Sequence, residues 1–178
     1  MLSYKESLKI LKETDALIEG HFILSSGLHS DKYIQCAKLL SKPQKAKDLC
    51  QSLAEKIKEN FNDFNLVLSP AVGGIVIGYE IGRLLNVETI FAERVNKIFQ
   101  LRRGFEIKKN HKILIVEDVI TTGKSSLECS VLAEKSGAEI VGFASLIDRS
   151  NGKSKINKKI ISQVQIEIPT FTEEDIPE

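Results

Sequence analysis

Four consecutive apolar residues, Ile113-Leu114-Ile115-Val116, run directly into Glu117-Asp118 and a loop of small and hydroxyl side chains. A strand with one wet face alternates apolar and polar residues. An unbroken aliphatic run instead suits a strand covered on both faces. A doubly covered strand belongs to a parallel sheet, whose strands are joined by helical crossovers. The flanking pattern supplies them. Leu66-Val67-Leu68 reads as a strand, Gly74 to Leu85 as a helix, and Thr89-Ile90-Phe91-Ala92 as a strand. Leu127, Val131 and Leu132 mark a helix that would end at Gly137, and residues 140–147 form another strand. The expected fold is α/β, a twisted, mostly parallel sheet flanked by helices with right-handed crossovers.

The N-terminal third is organised differently. Residues 3–18 read as an amphipathic helix with Tyr4, Leu8, Leu11 and Ile18 near one face. Phe22-Ile23-Leu24 and Tyr33-Ile34 look like short strands around the turn Ser25-Ser26-Gly27-Leu28-His29-Ser30, with His21 and His29 as turn residues. Pro43 opens a helix whose buried stripe is Ala46, Leu49, Cys50, Leu53, Ala54 and Ile57. Residues 160–168 look like a last, more polar strand, and residues 172–178 like a surface tail.

Composition then excludes several function classes. A net charge of +1 gives no global field for nucleic acid or membrane, so any anion site must be a local cluster. Aromatic residues are 6% of the chain and Trp is absent, which disfavours stacking on single-stranded nucleic acid. Cys36, Cys50 and Cys129 fit neither a disulfide framework nor a zinc site, and reduced thiols in a cytoplasmic protein are expected. The N-terminus lacks the apolar run of a signal peptide. The longest apolar stretch is broken by Gly78, Glu80, Gly82 and Arg83, so no membrane span is expected.

The chemistry concentrates after residue 116. Ligands of open α/β sheets bind beyond the carboxyl ends of the strands, where Glu117 and Asp118 stand. The loop Thr121-Thr122-Gly123-Lys124-Ser125 offers hydroxyls and backbone N–H groups, and the following helix adds its positive dipole end. This is a cradle for one phosphate. It is not the P-loop of nucleotide triphosphatases, which needs a Gly where Asp118 stands. The paired acids suit instead the 2′- and 3′-hydroxyls of a ribose whose 5′-phosphate fills the loop. The residues alone leave open whether either acid serves a metal or a proton.

Val116-Glu117-Asp118-Val119-Ile120-Thr121-Thr122-Gly123-Lys124-Ser125 resembles the phosphoribosyl pyrophosphate (PRPP) signature of the type I phosphoribosyltransferases. Further segments resemble the orotate-using members of that family, in their short bacterial form. They are Gly20-His21-Phe22-Ile23-Leu24-Ser25-Ser26-Gly27-Leu28-His29-Ser30, Ser69-Pro70-Ala71-Val72-Gly73-Gly74-Ile75, Phe91-Ala92-Glu93-Arg94, Leu101-Arg102-Arg103-Gly104-Phe105-Glu106 and Ile147-Asp148-Arg149-Ser150. They run in order over most of the chain. The resemblance implies a single phosphoribosyltransferase domain. Its small hood would be built from about residues 1–40 and 155–178, and it would carry a mobile loop.

The implied reaction joins orotate to PRPP, giving orotidine 5′-monophosphate and pyrophosphate, a step of pyrimidine biosynthesis. The implied roles follow residue by residue. Thr121, Thr122, Gly123, Lys124 and Ser125 would hold the 5′-phosphate, and Glu117 and Asp118 the ribose, with Val119 and Ile120 completing the PRPP segment. Ala71, Val72, Gly73 and Gly74 would lie beside the pyrophosphate. Arg149 would contact orotate, with Thr121 also at the pyrimidine.

Residues 94–112 match the family's mobile catalytic loop, which closes over the neighbouring subunit's site. They hold Arg94, Lys97, Arg102, Arg103, Lys108, Lys109 and Lys112 against Glu106 alone. Arg94 aligns best, with Lys97 beside it as a second catalytic candidate. Magnesium is expected, carried mainly by PRPP, and so is a homodimer with a shared site. Two departures remove cations: Ser25 and Gly73 stand where lysines are common in these enzymes. The rivals are a purine-using enzyme of the same fold and a regulator that keeps the PRPP site as a sensor.

Overall fold

The computed structural model describes residues 1–24 and 27–175. Its elements are α1 (Tyr4–Glu13), β1 (Leu17–Ile23), β2 (His29–Ile34), α2 (Cys36–Leu40), α3 (Pro43–Asn60), β3 (Leu66–Pro70) and α4 (Gly74–Leu85). There follow β4 (Glu88–Val95), β5 (Ile98–Leu101), β6 (Lys112–Ile120), α5 (Lys124–Glu134), β7 (Glu139–Asp148), β8 (Ile160–Gln165) and β9 (Thr170–Phe171).

Six strands form the main sheet in the order β5-β4-β3-β6-β7-β8. All are parallel except β5, which folds back on β4. The run 113–116 is fully buried, as its composition requires. Leu114 and Val116 point into a core shared with α1, α3 and α4, while Ile113 and Ile115 point into a second core under α5. The two cores have different fillings. α3 contributes bulky Leu49, Leu53 and Ile57. α5 presents Ser126, Cys129, Ser130 and Ala133, spaced to share one helical face. These small residues let α5 lie close to the sheet. Leu127 and Leu132 are only half-buried and Val131 is exposed, so the bulky trio that marks α5 in the sequence is not its core face.

The first helix is shorter than its periodicity suggests. A capping box between Ser3 and Glu6 starts α1, and it ends at Glu13, where the Thr14 hydroxyl turns back to the Ile10 carbonyl. Asp15 then takes a left-handed φ of 57°, and Leu17 and Ile18 enter β1 instead of continuing the helix. β1 and β2 pair antiparallel, and β9 adds to β2, so the two ends of the chain build a second, three-stranded sheet. A bulge between Glu19 and Phe22 brings the His21 ring against His29, 2.6 Å between Nε2 and Nδ1. These histidines lie on facing strands and not in the turn. Ser25 and Ser26 of that turn, and residues 176–178 of the tail, lie outside the described residues.

Residues 94–101, expected as part of a loop, are instead ordered as the end of β4, a tight turn and β5. Asn96 and Lys97 occupy the turn with φ of 51° and 68°, the conformation a two-residue hairpin needs. Phe99 is buried in the α5-side core and pins the hairpin there.

Helix α4 touches β4 through glycines. A Cβ at Gly82 would lie 1.8 Å from Thr89 Oγ1 and 2.8 Å from the Val87 carbonyl oxygen. The second atom is backbone and cannot rotate away. Gly82→Ala is therefore expected to destabilise the protein by about 1–3 kcal/mol, the usual cost of overpacking. Urea unfolding with an unchanged slope would read this, and an unchanged midpoint would show that α4 shifts freely.

Candidate active site

The carboxyl ends of β3, β6 and β7 lie side by side, and each carries one part of the expected site. At the end of β6, adjacent residues leave opposite faces of the sheet, so Glu117 and Asp118 diverge. Glu117 turns toward α5, where the Ser126 hydroxyl donates to its Oε2. Asp118 turns toward the turn after β3. A Cβ at Gly73 would lie 2.7 Å from Asp118 Oδ2, so no side chain fits there without moving that carboxylate. The absence of a lysine at 73 thus has a local counterpart: the Asp118 carboxylate occupies the approach. The turn itself starts with Ala71 N–H donating to the Ala92 carbonyl at 2.8 Å, and Val72 is exposed.

The phosphate-type loop follows. Gly123 has φ 78° and precedes α5; as N-cap it offers no side chain, and the Thr122 hydroxyl accepts from the first N–H of the helix, that of Lys124, at 3.3 Å. The dipole and the next N–H groups at this end can face an anion. A Cβ at Gly123 would sit 2.8 Å from both Ile156 Cγ1 and Ser154 Oγ, so glycine is required by φ and by space. The Lys155 N–H donates to the Thr122 carbonyl at 3.1 Å. The lysine-rich loop after β7 therefore braces the cradle with its backbone. Thr121, Thr122 and Lys124 are exposed at the cradle and Ser125 is half-buried. Val119 and Ile120 point into the two cores, so only their backbones face the site.

Arg149 follows β7. Its N–H donates to the Ile120 carbonyl at 2.9 Å, which holds it beside Thr121. The side chain is half-buried, burial pushes its pKa down, and no carboxylate pairs with it among the described residues. A half-buried guanidinium without an internal partner keeps its five N–H donors available for a planar anion.

The basic residues of segment 94–112 separate. Arg94 reaches the cradle, with Nη2 3.5 Å from Ser125 Oγ. Lys97 sits in the hairpin turn and touches Arg94 only through its carbonyl. It also lines a groove of about 740 Å³ on the outer face of α5, with Leu127, Val131 and Lys135. Arg103 is paired with Glu93 through two bonds of 2.9 Å and lies over Phe91. Lys112 pairs with Asp63, far from the cradle. The motif did not single out Ser126, Glu128, Phe99 or Ser154. Each reaches the site through tertiary contact, and no spacing rule points to it.

Burial dominates the ionisation of both acids. It pushes Glu117 up to about 7, against the Ser126 hydrogen bond, which favours the anion; Asp118 pushes it further up and Arg94 pulls it down. Asp118 is also raised by burial, against the Val119 N–H that it accepts at 2.9 Å. Among the described residues no cluster of three His, Cys, Asp or Glu side chains is placed to hold a metal.

The phosphoribosyl transferase domain model matches residues 37–175. The chain is 45% identical over 169 residues to an orotate phosphoribosyltransferase of Carboxydothermus hydrogenoformans, covering 95% of this chain and 88% of that one. It is 46% identical to one of Parvibaculum lavamentivorans, covering 95% and 89%. Among solved structures, an orotate phosphoribosyltransferase from Aeropyrum pernix superposes with a TM-score of 0.78 at 22% identity, over 89% of this chain and 92% of that one. An adenine phosphoribosyltransferase from Thermoanaerobacter pseudethanolicus reaches 0.71 at 16%, over 89% and 99%. At such identities the superpositions establish the fold and do not choose the base.

The raised pKa of Glu117 has a signed consequence. Between 4.5, its ordinary value, and about 7, the folded chain holds a proton that the unfolded chain has released. This group's contribution to stability therefore falls as pH rises through that window. Ser126→Ala removes the bond that favours the anion, so the Glu117 titration is expected to move higher still. Carboxyl-resolved NMR would measure it, and a shift downward would contradict the assigned geometry.

Proposed function

The chain belongs to the phosphoribosyl transferase domain family, and on that premise we propose that it transfers the phosphoribosyl group of PRPP to orotate in pyrimidine biosynthesis. The observation that carries the choice of base is 45–46% identity across 95% of the chain to two orotate phosphoribosyltransferases. The unpaired Arg149 beside the cradle supports it, since orotate carries a carboxylate and adenine does not.

In this reading the 5′-phosphate occupies Thr121 to Ser125 and takes backbone donors and the dipole of α5. Two ribose hydroxyls donate to Glu117 and Asp118, which act as acceptors when ionised. The pyrophosphate lies over the backbone of Ala71, Val72, Gly73 and Gly74, and Arg149 receives the orotate carboxylate with Thr121 alongside. The orotate ring nitrogen gives up its proton and forms a bond to the anomeric carbon as the bond to the pyrophosphate oxygen breaks; the pyrophosphate leaves with the electron pair and can take up the released proton. Positive charge builds on the ribose, and Arg94 and Lys97 balance the negative charge on the leaving group. Holding both reactants in one site supplies much of the rate.

Magnesium belongs in this scheme with the substrate: bound to PRPP it would neutralise pyrophosphate oxygens, as this ion commonly does on substrate phosphates. A homodimer with a shared site and a cytoplasmic location complete the proposal. Three free, buried cysteines suit a reducing compartment, and no helix among the described residues is long and apolar enough to cross a membrane.

The test is loss of orotate absorbance with PRPP and magnesium, with adenine and hypoxanthine in parallel. Orotate alone should turn over. Arg149→Ala should lower kcat/KM for orotate by about 10- to 100-fold, as expected for a lost hydrogen bond to a charged group. Turnover of a purine in place of orotate would leave the PRPP site standing and remove the assigned base.

A further inference from the structure

Arg94 is the one basic residue of segment 94–112 that touches the cradle among the described residues, and the chain holds it from several directions. Its guanidinium lies 4.1 Å from the centre of the Phe99 ring. Nη1 donates to the Lys97 carbonyl at 2.9 Å, and Nη2 lies 3.5 Å from the Ser125 hydroxyl. On the remaining side stands Glu128, in the second turn of α5, with Oε2 2.6 Å from Nη2. The contact is an ion pair and not an aligned hydrogen bond, since Glu128 Oε2 is buried without a hydrogen-bond partner in good geometry.

The side chains of this pair are 36% and 34% exposed, so the pair itself adds little to stability. What it fixes is direction. An unrestrained arginine samples many rotamers, and ordering it on ligand binding costs affinity and rate. Phe99 confines the guanidinium to a plane, but a ring face allows sliding. Glu128 removes that freedom, and it grows from the same helix whose first turn carries Ser125 and the open N–H groups. The hairpin and the cradle are thereby set in one frame. Glu128 is itself flanked by Lys124, 4.0 Å away, so the surroundings of the cradle stay cationic.

We infer that Glu128 is a positioning residue for the transfer reaction: through its ion pair with Arg94 it fixes the direction in which that guanidinium meets PRPP in the site proposed to be shared by two subunits. This rests on the PRPP reading of Thr121 to Ser125. Glu128 touches no substrate, and its effect passes through Arg94 alone.

The experiment is a double-mutant cycle on the full chain with Glu128→Ala, Arg94→Ala and the double variant, plus Glu128→Gln. It reads kcat, KM for each substrate and Tm. Glu128→Ala should lower kcat/KM for PRPP by about 10- to 100-fold, the scale of a misplaced positioning group. KM for orotate should stay within about twofold and Tm nearly unchanged, as for a surface substitution. Glu128→Gln, which keeps an oxygen facing the guanidinium, should recover part of the loss. The double variant should be no worse than Arg94→Ala, because the two act as one unit.

Multiplying losses would overturn the inference, and so would a Glu128→Ala enzyme as active as the parent or more so. Equal losses for both substrates with a fallen Tm would reduce Glu128 to a clamp on the hairpin and overturn it too. An unmodified protein that turns over no orotate would sink the parent reading and this inference with it. An active parent with an unaffected Glu128→Ala variant would sink this inference alone.

Discussion

Strand β6 pairs on both edges, with β3 through Ile113, Leu114 and Ile115, and with β7 along nearly its whole length up to Ile120. Its side chains are divided between two cores, one under α3 and α4 and one under α5. The two acids, the loop that follows them and Arg149 are placed by this strand. Its register sets Ile120 beside Asp148, and the backbone bond from Arg149 to Ile120 then fixes the arginine. Its pleat sends Glu117 to one face and Asp118 to the other. A one-residue slip would exchange these faces and dismantle the site along with the core.

The two faces are built to different tolerances. On the α3 and α4 side, large aliphatic residues fill the space, and glycines let α4 approach β3 and β4. On the α5 side, Ser126, Cys129 and Ala133 bring a helix close enough for its first turn to overhang the end of β6. The same closeness lets the Ser126 hydroxyl reach Glu117. The burial that tight packing imposes on the acids is what lifts their pKa values, since a carboxylate loses hydration there faster than one hydroxyl restores it. Packing and ionisation at this site are one property.

Much of this was legible beforehand where short-range pattern decides. The strand 113–116, the helix opening at Pro43 and the helix between Gly74 and Leu85 all appear where the sequence places them. The strand–turn–helix geometry proposed as the cradle was legible because a strand end, two acids and a Thr-Thr-Gly turn lie in one contiguous stretch. The first helix is shorter than its pattern because Ile18 continues the spacing of Tyr4, Leu8 and Leu11, while the left-handed Asp15 that breaks it carries no strong signal. The hairpin 94–101 was hidden by the basic stretch it opens: Phe99 and Leu101, which pack on the α5-side core, stand only two residues apart and between Arg94 and Lys97 on one side and Arg102 and Arg103 on the other.

By itself, then, the sequence determined the α/β class, the central buried strand and the identity of the acids and small residues that follow it, because these depend on neighbours a few positions apart. Tertiary structure alone decided that Asp118 would crowd Gly73, that Ser126 would answer Glu117, and that Glu128 and Phe99 would hold Arg94. Those contacts join elements that are remote in the chain, or faces whose orientation follows from how the sheet and α5 pack. No local preference encodes them; they exist only once burial of the two cores has fixed how far each helix stands from the sheet.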